Sequence, residues 1–183
     1  MVRWKPRPPS RAEVKIGVLD SGLLALACLF TFWLVADLLS RIHSVSSADD
    51  LLGGMWAAIA TIFVSRVSYH ESIAAALTRI SATTVSFVFC LIYLIFLPFH
   101  AWALALLIGV SALSVILVGR PGDAITAGIT TTVILVVAAL SPHDAWQQPI
   151  LRLADTVVGV AIGIAAAWIA SRVRRQVNGG RRG

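Results

Sequence analysis

The chain has 183 residues, of which 58% are hydrophobic and only 13% are charged, and its mean hydropathy is +0.86. A soluble domain carries about 25% charged residues because it has a polar surface to cover, so this composition excludes an ordinary soluble protein. The net charge is +6, but ten of the fifteen Lys and Arg lie in residues 1–15 and 171–183. No basic face between these tails could bind a nucleic acid.

Six apolar runs, taken in chain order, predict an all-α, polytopic membrane protein with a six-transmembrane-helix bundle. A helix needs about 20 apolar residues to cross the hydrocarbon core. The predicted spans are about 16–40, 51–67, 72–97, 101–119, 124–140 and 150–170. Pro98 ends the third run, and Pro149 opens the sixth. The first run is too long for a signal-peptide core, so we interpret it as an uncleaved span.

The distribution of Lys and Arg predicts the orientation of the chain. Cytoplasmic loops carry an excess of Lys and Arg. Five lie in each terminal tail, Arg66 and Arg120 lie in connections on the same side, and the opposite side holds Arg41 and Arg152. We therefore expect a multi-pass protein of the cell inner membrane with both termini in the cytoplasm. Basic tails of this kind also attract anionic lipid.

An arginine inside the third run begins a polar stripe. A charge at the bilayer centre costs about 2.5–3.5 kcal/mol, so its presence needs a reason. Thr83 and Ser86 follow Arg79 at i+4 and i+7 and share its helix face. The planar guanidinium suits a carboxylate, which makes Arg79 and Thr83 candidate substrate-binding residues. The alternative is that Arg79 reaches the interface or pairs with a nearby acid, such as Asp20.

A second arginine opens the sixth run. Arg152 and Asp155 are three residues apart and therefore neighbours on one helix face. They form either a structural ion pair near the outer surface, or an anion contact with Asp155 as its proton-linked partner. Asp37 lies near the outer end of the first run. It is either interfacial or, like Asp155, a candidate for proton coupling or an ion pair. Gly159 and Gly163 form a GxxxG pattern that predicts close helix packing, within the bundle or at a dimer seam.

The two arginine segments resemble each other. Arg, Thr and Val recur at the same offsets in residues 79–86 and 152–159. This similarity predicts two three-helix repeats, the second inverted because three spans is an odd number; chance similarity is the alternative. Inverted repeats are typical of transporters, whose sites lie at the repeat interface.

The sequence shows no motif for catalysis, ATP hydrolysis or metal binding. There is no nucleotide-binding loop, nucleophile elbow or zinc-protease motif, so we expect neither an enzyme nor direct ATP hydrolysis. The four His lie on different connections without metal-ligand spacing, and we expect no metal and no cofactor.

Two stretches together carry a family resemblance. The first runs from Gly54-Met-Trp56 through Ser65 and continues into Ala74-Ala-Ala-Leu-Thr-Arg79-Ile-Ser-Ala-Thr83. The second is Arg152-Leu-Ala-Asp155-Thr156-Val-Val-Gly159. In their order and spacing they are similar to the fusaric acid resistance and aromatic-acid exporter family, and the plant aluminium-activated malate transporters look like relatives. The resemblance covers about residues 15–172, and Met55 departs from it because the family has an aromatic residue there.

The resemblance implies export of aromatic or other organic carboxylic acids, with ion-gradient coupling, and a functional polar set that includes Arg79, Arg152 and Asp155. The anion would stack against Trp56. Larger family members fuse two such modules or add a cytoplasmic domain, so a homodimer is the expected assembly. The alternatives are a passive organic-anion channel, in which the same arginines select anions, and a membrane scaffold or subunit whose tails recruit a partner or anionic lipid.

Overall fold

The structure is a computed structural model that describes residues 10–42, 47–65, 69–140 and 145–179. Regular structure in these ranges is entirely helical, which confirms the predicted all-α class. The helices are α1 (Arg11–Ile42), α2 (Ser47–Val64), α3 (Tyr69–Phe96), α4 (Ala101–Leu117), α5 (Ala124–Leu140) and α6 (Gln147–Gly179). A 3-10 turn at Pro121–Asp123 leads into α5.

The helices have the length and the surface of a membrane bundle. α1, α3, α5 and α6 carry stretches that are long and apolar enough to cross a membrane, and α2 and α4 supply shorter apolar helices. At 1.5 Å per residue, α4 is about 26 Å long, a little less than the hydrocarbon thickness. Large apolar side chains such as Phe30, Leu117 and Ile125 are more than half exposed on the outside of the bundle. Lipid would cover such a surface.

Two helices extend furthest beyond the apolar runs. α1 begins at Arg11 rather than at residue 16, and α6 continues to Gly179, past residue 170. Apolar character marks only the part of a helix that lies in lipid, whereas helical hydrogen bonding continues into polar turns. The extension brings Arg174 of α6 to Asp20 of α1, and its Nε donates to Asp20 Oδ1 at 2.9 Å. Asp20 thus contacts Arg174 rather than Arg79, which was one of the alternatives for this acid. We call this end of the bundle, where α1 begins and α6 ends, the termini end.

The six helices pack as two similar halves. α1 packs on α2 and α4 packs on α5, while α3 and α6 contact each other at the centre. Between the two halves, α2 contacts mainly α6, and α5 contacts mainly α3. Exchanging α1 with α4, α2 with α5 and α3 with α6 therefore maps each main helix contact onto another. This exchange symmetry of the helix contacts supports the two-repeat interpretation, and the inversion of the second repeat stays a prediction.

Buried hydroxyl groups occupy matching places in the two halves. Thr31 of α1 and Thr61 of α2 lie with their Oγ1 atoms 3.1 Å apart, and both are fully buried. In the second half, Thr131 Oγ1 of α5 lies 3.0 Å from Ser111 Oγ of α4, again with both side chains buried. Such bonds satisfy polar groups that lipid would leave unpaired.

Candidate functional site

The polar stripe of α3 faces the interior of the bundle. The buried residues of this helix recur every three or four positions, which is the spacing of one helix face. They are Ser72, Ala76, Arg79, Ala82, Thr83, Ser86, Cys90 and Leu94. α5 and α6 cover this face, so the stripe is removed from lipid.

The guanidinium group of Arg79 is buried between two aromatic rings. Its side chain is 1% exposed, and its Cζ lies 4.9 Å from the ring centroid of Trp56 and 4.9 Å from that of Phe63. Both aromatic residues come from α2, seven positions apart and so on one face. None of the three guanidinium nitrogens has a hydrogen-bond partner in the part of the chain that the structure describes. The alternative in which Arg79 pairs with an acid is therefore not seen among the described residues.

Two further hydrogen-bond donors lie buried beside this guanidinium. Trp56 Nε1 and Thr83 Oγ1 have no hydrogen-bond partner among the described residues, and both side chains are at most 3% exposed. Thr83 follows Arg79 by one helical turn on the same face of α3. We call Trp56, Phe63, Arg79 and Thr83 the Arg79 cluster. Because buried polar groups are nearly always satisfied, a cluster of unbonded donors is suited to a ligand that supplies acceptors.

A cavity of about 220 Å³ borders the Arg79 cluster at the termini end of the bundle. It lies between the end of α2, the first turns of α3 and the start of α5. Its lining residues are Phe63, Ala75, Thr78, Arg79, Gly122 and Thr126. The cavity therefore lies against the Arg79 side chain, whose guanidinium nitrogens are themselves buried.

An arginine clamp fixes the turn that forms one wall of this cavity. Arg120 Nε lies 2.8 Å from Asp123 Oδ2, and the two terminal nitrogens of Arg120 donate to Ser81 and Thr78 of α3, each at 2.9 Å. Gly119 precedes it with φ +85°, a conformation that favours glycine. From sequence, Arg120 indicates only the orientation of the chain, because contacts across some forty positions leave no local pattern. Phe63 was also missed, although its spacing from Trp56 was a usable signal.

The second predicted arginine is neutralised within its own helix. Arg152 Nη1 lies 3.2 Å from Asp155 Oδ2, and both side chains are 1% exposed. Thr156 donates to the Arg152 carbonyl at 2.8 Å. Gly53 of α2 makes room for the acid, since a Cβ atom there would lie 3.3 Å from Asp155 Oδ1. The ion-pair interpretation of Arg152 and Asp155 therefore describes their geometry, and both side chains are buried in the bundle.

The remaining predicted residues take other places. Asp37 is partly buried on α1. Gly159 and Gly163 face α2 within the bundle: a Cβ atom at Gly159 would lie 2.8 Å from Ala60 Cβ, and one at Gly163 would lie 3.0 Å from Val64 Cβ. Across the described residues, no group of three or more His, Cys, Asp or Glu could hold a metal ion.

Comparison with known families identifies the chain. The family model described as fusaric acid resistance protein-like matches residues 31–166, which include every member of the Arg79 cluster, as well as Arg152 and Asp155. Neither the curated proteins nor the solved structures gave a match. A model that covers well over half of the chain, together with an all-helical apolar bundle, shows that this multi-pass membrane protein belongs to the fusaric acid resistance protein-like family.

Proposed function

We propose that this protein transports organic carboxylates across the membrane, and that the Arg79 cluster is its binding site. The observation that carries the proposal is the buried guanidinium of Arg79, which has neither a hydrogen bond nor an acid beside it among the residues that the structure describes. Burying an unpaired ion costs several kcal/mol, and a desolvated cation–π contact returns about 2 kcal/mol. A carboxylate that binds Arg79 would supply the missing charge and the missing acceptors.

The surroundings of Arg79 support an aromatic acid as the preferred substrate. The rings of Trp56 and Phe63 lie against the guanidinium and leave its nitrogens for a carboxylate, which binds such a fork in a bidentate manner. Thr83 and the indole N–H add donors nearby. Phe63 and Ala75 give the adjoining cavity an apolar wall against which an aryl group could pack.

We also propose a direction and a coupling for transport. By the positive-inside rule, the termini end would lie in the cytoplasm of a cell inner membrane, so the cavity would load from the cytoplasm and the protein would act as an exporter. Arg172, stacked on Trp168 at 5.0 Å, would anchor this end among anionic headgroups. We propose that protonation of Asp155 releases Arg152 and couples the cycle to the proton gradient.

The test is flux from proteoliposomes loaded with labelled 4-hydroxybenzoate, with and without a proton gradient. We expect gradient-dependent efflux in the wild type and its loss in Arg79→Met, a variant of similar side-chain length without the charge. Arg172→Met is the matched control, because this exposed arginine lies outside the site, and it should transport normally. Equal flux in Arg79→Met and the wild type would overturn the assignment of the site. Flux that is lost in Arg79→Met but ignores the gradient would identify a passive anion channel.

A further inference from the structure

We propose that Phe63 is the lid of the Arg79 cluster: its ring separates the buried donors from the cavity, and it turns aside when a ligand passes. The inference rests on the proposed function for the passage of a ligand, and it adds the residue that controls access to the site. It is carried by the position of one aromatic ring, which contacts the guanidinium and also lines the cavity.

The donors of the Arg79 cluster are sealed although a cavity adjoins them. Arg79 is 1% exposed, Trp56 is 3% exposed and Thr83 is fully buried. Trp56 and Thr83 do not line the cavity, and Arg79 contributes to its wall without exposing a guanidinium nitrogen. A molecule in the cavity therefore cannot bond to these donors until a side chain of the wall moves.

Phe63 stands at the boundary between the donors and the cavity. Its ring centroid lies 4.9 Å from Arg79 Cζ, and its side chain lines the cavity. The Trp56 centroid also lies 4.9 Å from Cζ, and Trp56 precedes Phe63 by two turns of α2, about 10.5 Å along the helix axis. The guanidinium thus lies between the levels of the two rings, with Trp56 on the deep side and Phe63 on the side of the cavity.

Thr83 lies behind the guanidinium as seen from the cavity. The cavity residues Ala75 and Thr78 precede Arg79 on α3. Thr83 follows Arg79 by four residues, about 6 Å further from the termini end. A reagent that enters through the cavity must therefore pass the ring of Phe63 and the guanidinium before it reaches Thr83.

Phe63 has room to turn, whereas the opposite wall of the cavity is held in place. Phe63 is 39% exposed and stands one residue before the end of α2, so its side chain is not packed on all sides. Exposed side chains change rotamer within nanoseconds. The wall at Gly122 belongs to the turn that Arg120 ties to Thr78 of α3. The geometry therefore assigns the movement to the phenyl ring.

The test follows the labelling of a thiol at position 83 in purified protein. The probe is Thr83→Cys with a small neutral methanethiosulfonate reagent, and mass spectrometry of the modified peptide keeps the native Cys28 and Cys90 out of the measurement. The contact of the ring with Arg79 holds the lid shut, so adding Phe63→Ala should raise the labelling rate by about tenfold or more. Phe63 is partly exposed, and its truncation should leave the bundle folded.

Two controls make the result specific to the lid. Ala75→Cys lies on the cavity side of the ring, so Phe63→Ala should leave its labelling rate unchanged. Ile62→Ala truncates a neighbouring residue that is 51% exposed and does not line the cavity, and it should leave labelling at position 83 unchanged. An unchanged rate at position 83 in Phe63→Ala would overturn the inference. Equal acceleration at positions 83 and 75, or by Ile62→Ala as well, would also overturn it, because the helices would then have loosened generally.

A conservative pair of variants keeps the lid testable if Phe63→Ala does not fold. Phe63→Tyr keeps the ring, and Phe63→Leu keeps much of the apolar volume without it. We expect labelling at position 83 to stay slow with Phe63→Tyr and to be several-fold faster with Phe63→Leu; equal rates would overturn the inference. Labelling needs no substrate, so the two proposals fail separately. The absence of carboxylate flux in the wild type defeats the proposed function, whereas equal labelling rates defeat the lid alone.

Discussion

Arg79 and Arg152 lie on the two central helices of the bundle, equally buried and each followed by a threonine one turn later, yet their charges are handled differently. Arg152 has Asp155 at 3.2 Å, whereas Arg79 is held by aromatic rings and has no acid among the described residues. The comparison teaches that burial of a cation does not by itself indicate function. A buried cation that pairs with an acid of the protein can be structural. A buried cation without such an acid is the better candidate for binding an anionic ligand.

The largest expected effect is a difference in the free energy of unfolding between variants of the two arginines. Arg152→Met would leave Asp155 buried without its cation, and breaking a buried pair in this way costs about 3–5 kcal/mol. Arg79→Met removes a buried charge that has no acid, so its free energy of unfolding should be unchanged or increased. Chemical unfolding of both variants in the same detergent measures the contrast. Equal losses would mean that Arg79 is also neutralised within the protein.

A smaller effect is expected where the two halves differ in how closely their helices approach. Gly159 sits against α2 so tightly that a Cβ atom would collide with the Ala57 carbonyl oxygen, whereas the equivalent Ser86 carries a side chain against α5. Gly159→Ala should therefore destabilise the bundle by about 1–3 kcal/mol. Gly109→Ala on α4 is the control, because a Cβ atom there meets nothing within 4 Å and alanine favours a helix. Thermal unfolding should lower the midpoint for Gly159→Ala alone, and a similar shift in both variants would contradict the close approach.

The smallest effect concerns the arginine clamp, which has no counterpart beside Arg152 in the described structure. Arg120 is partly exposed, so its loss in Arg120→Ala should cost at most about 1 kcal/mol. The turn would nevertheless be freed from Thr78 and Ser81, and the cavity should open. Thr126→Cys, at the cavity wall, reports this through its rate of labelling by a charged thiol reagent. Labelling should be faster with Arg120→Ala than without it; an unchanged rate would show that the clamp does not control access.

Much of the fold could be predicted because the membrane imposes a simple rule. Apolar runs located all six helices, and α5 begins and ends where its run does. The polar extension of α1 was not predicted as helix, since hydropathy carries no information there. The contact of Asp20 with Arg174 joins residues 154 positions apart, and no local pattern could indicate it.

Part of the site was accessible to sequence reasoning for the same reason. An arginine in an apolar run is energetically costly, so its presence indicates a specific role. Helical spacing placed Thr83 on the same face as Arg79. Trp56 entered through the family resemblance rather than through any spacing. The absence of an acid beside Arg79 could not be predicted, because Asp20 was an equally available partner until the packing of α1 was known. Which arginine has an acid beside it thus depends on the tertiary structure.

The most direct test of the central claim is a solid-state NMR measurement of the coupling between carboxyl-13C benzoate and guanidinium 15N in arginine-labelled protein in lipid. The account predicts a short carbon–nitrogen contact that disappears in Arg79→Met and persists in Arg120→Ala, a variant that leaves the guanidinium of Arg79 in place. A contact that survives in Arg79→Met would mean that benzoate binds elsewhere, and it would contradict the account.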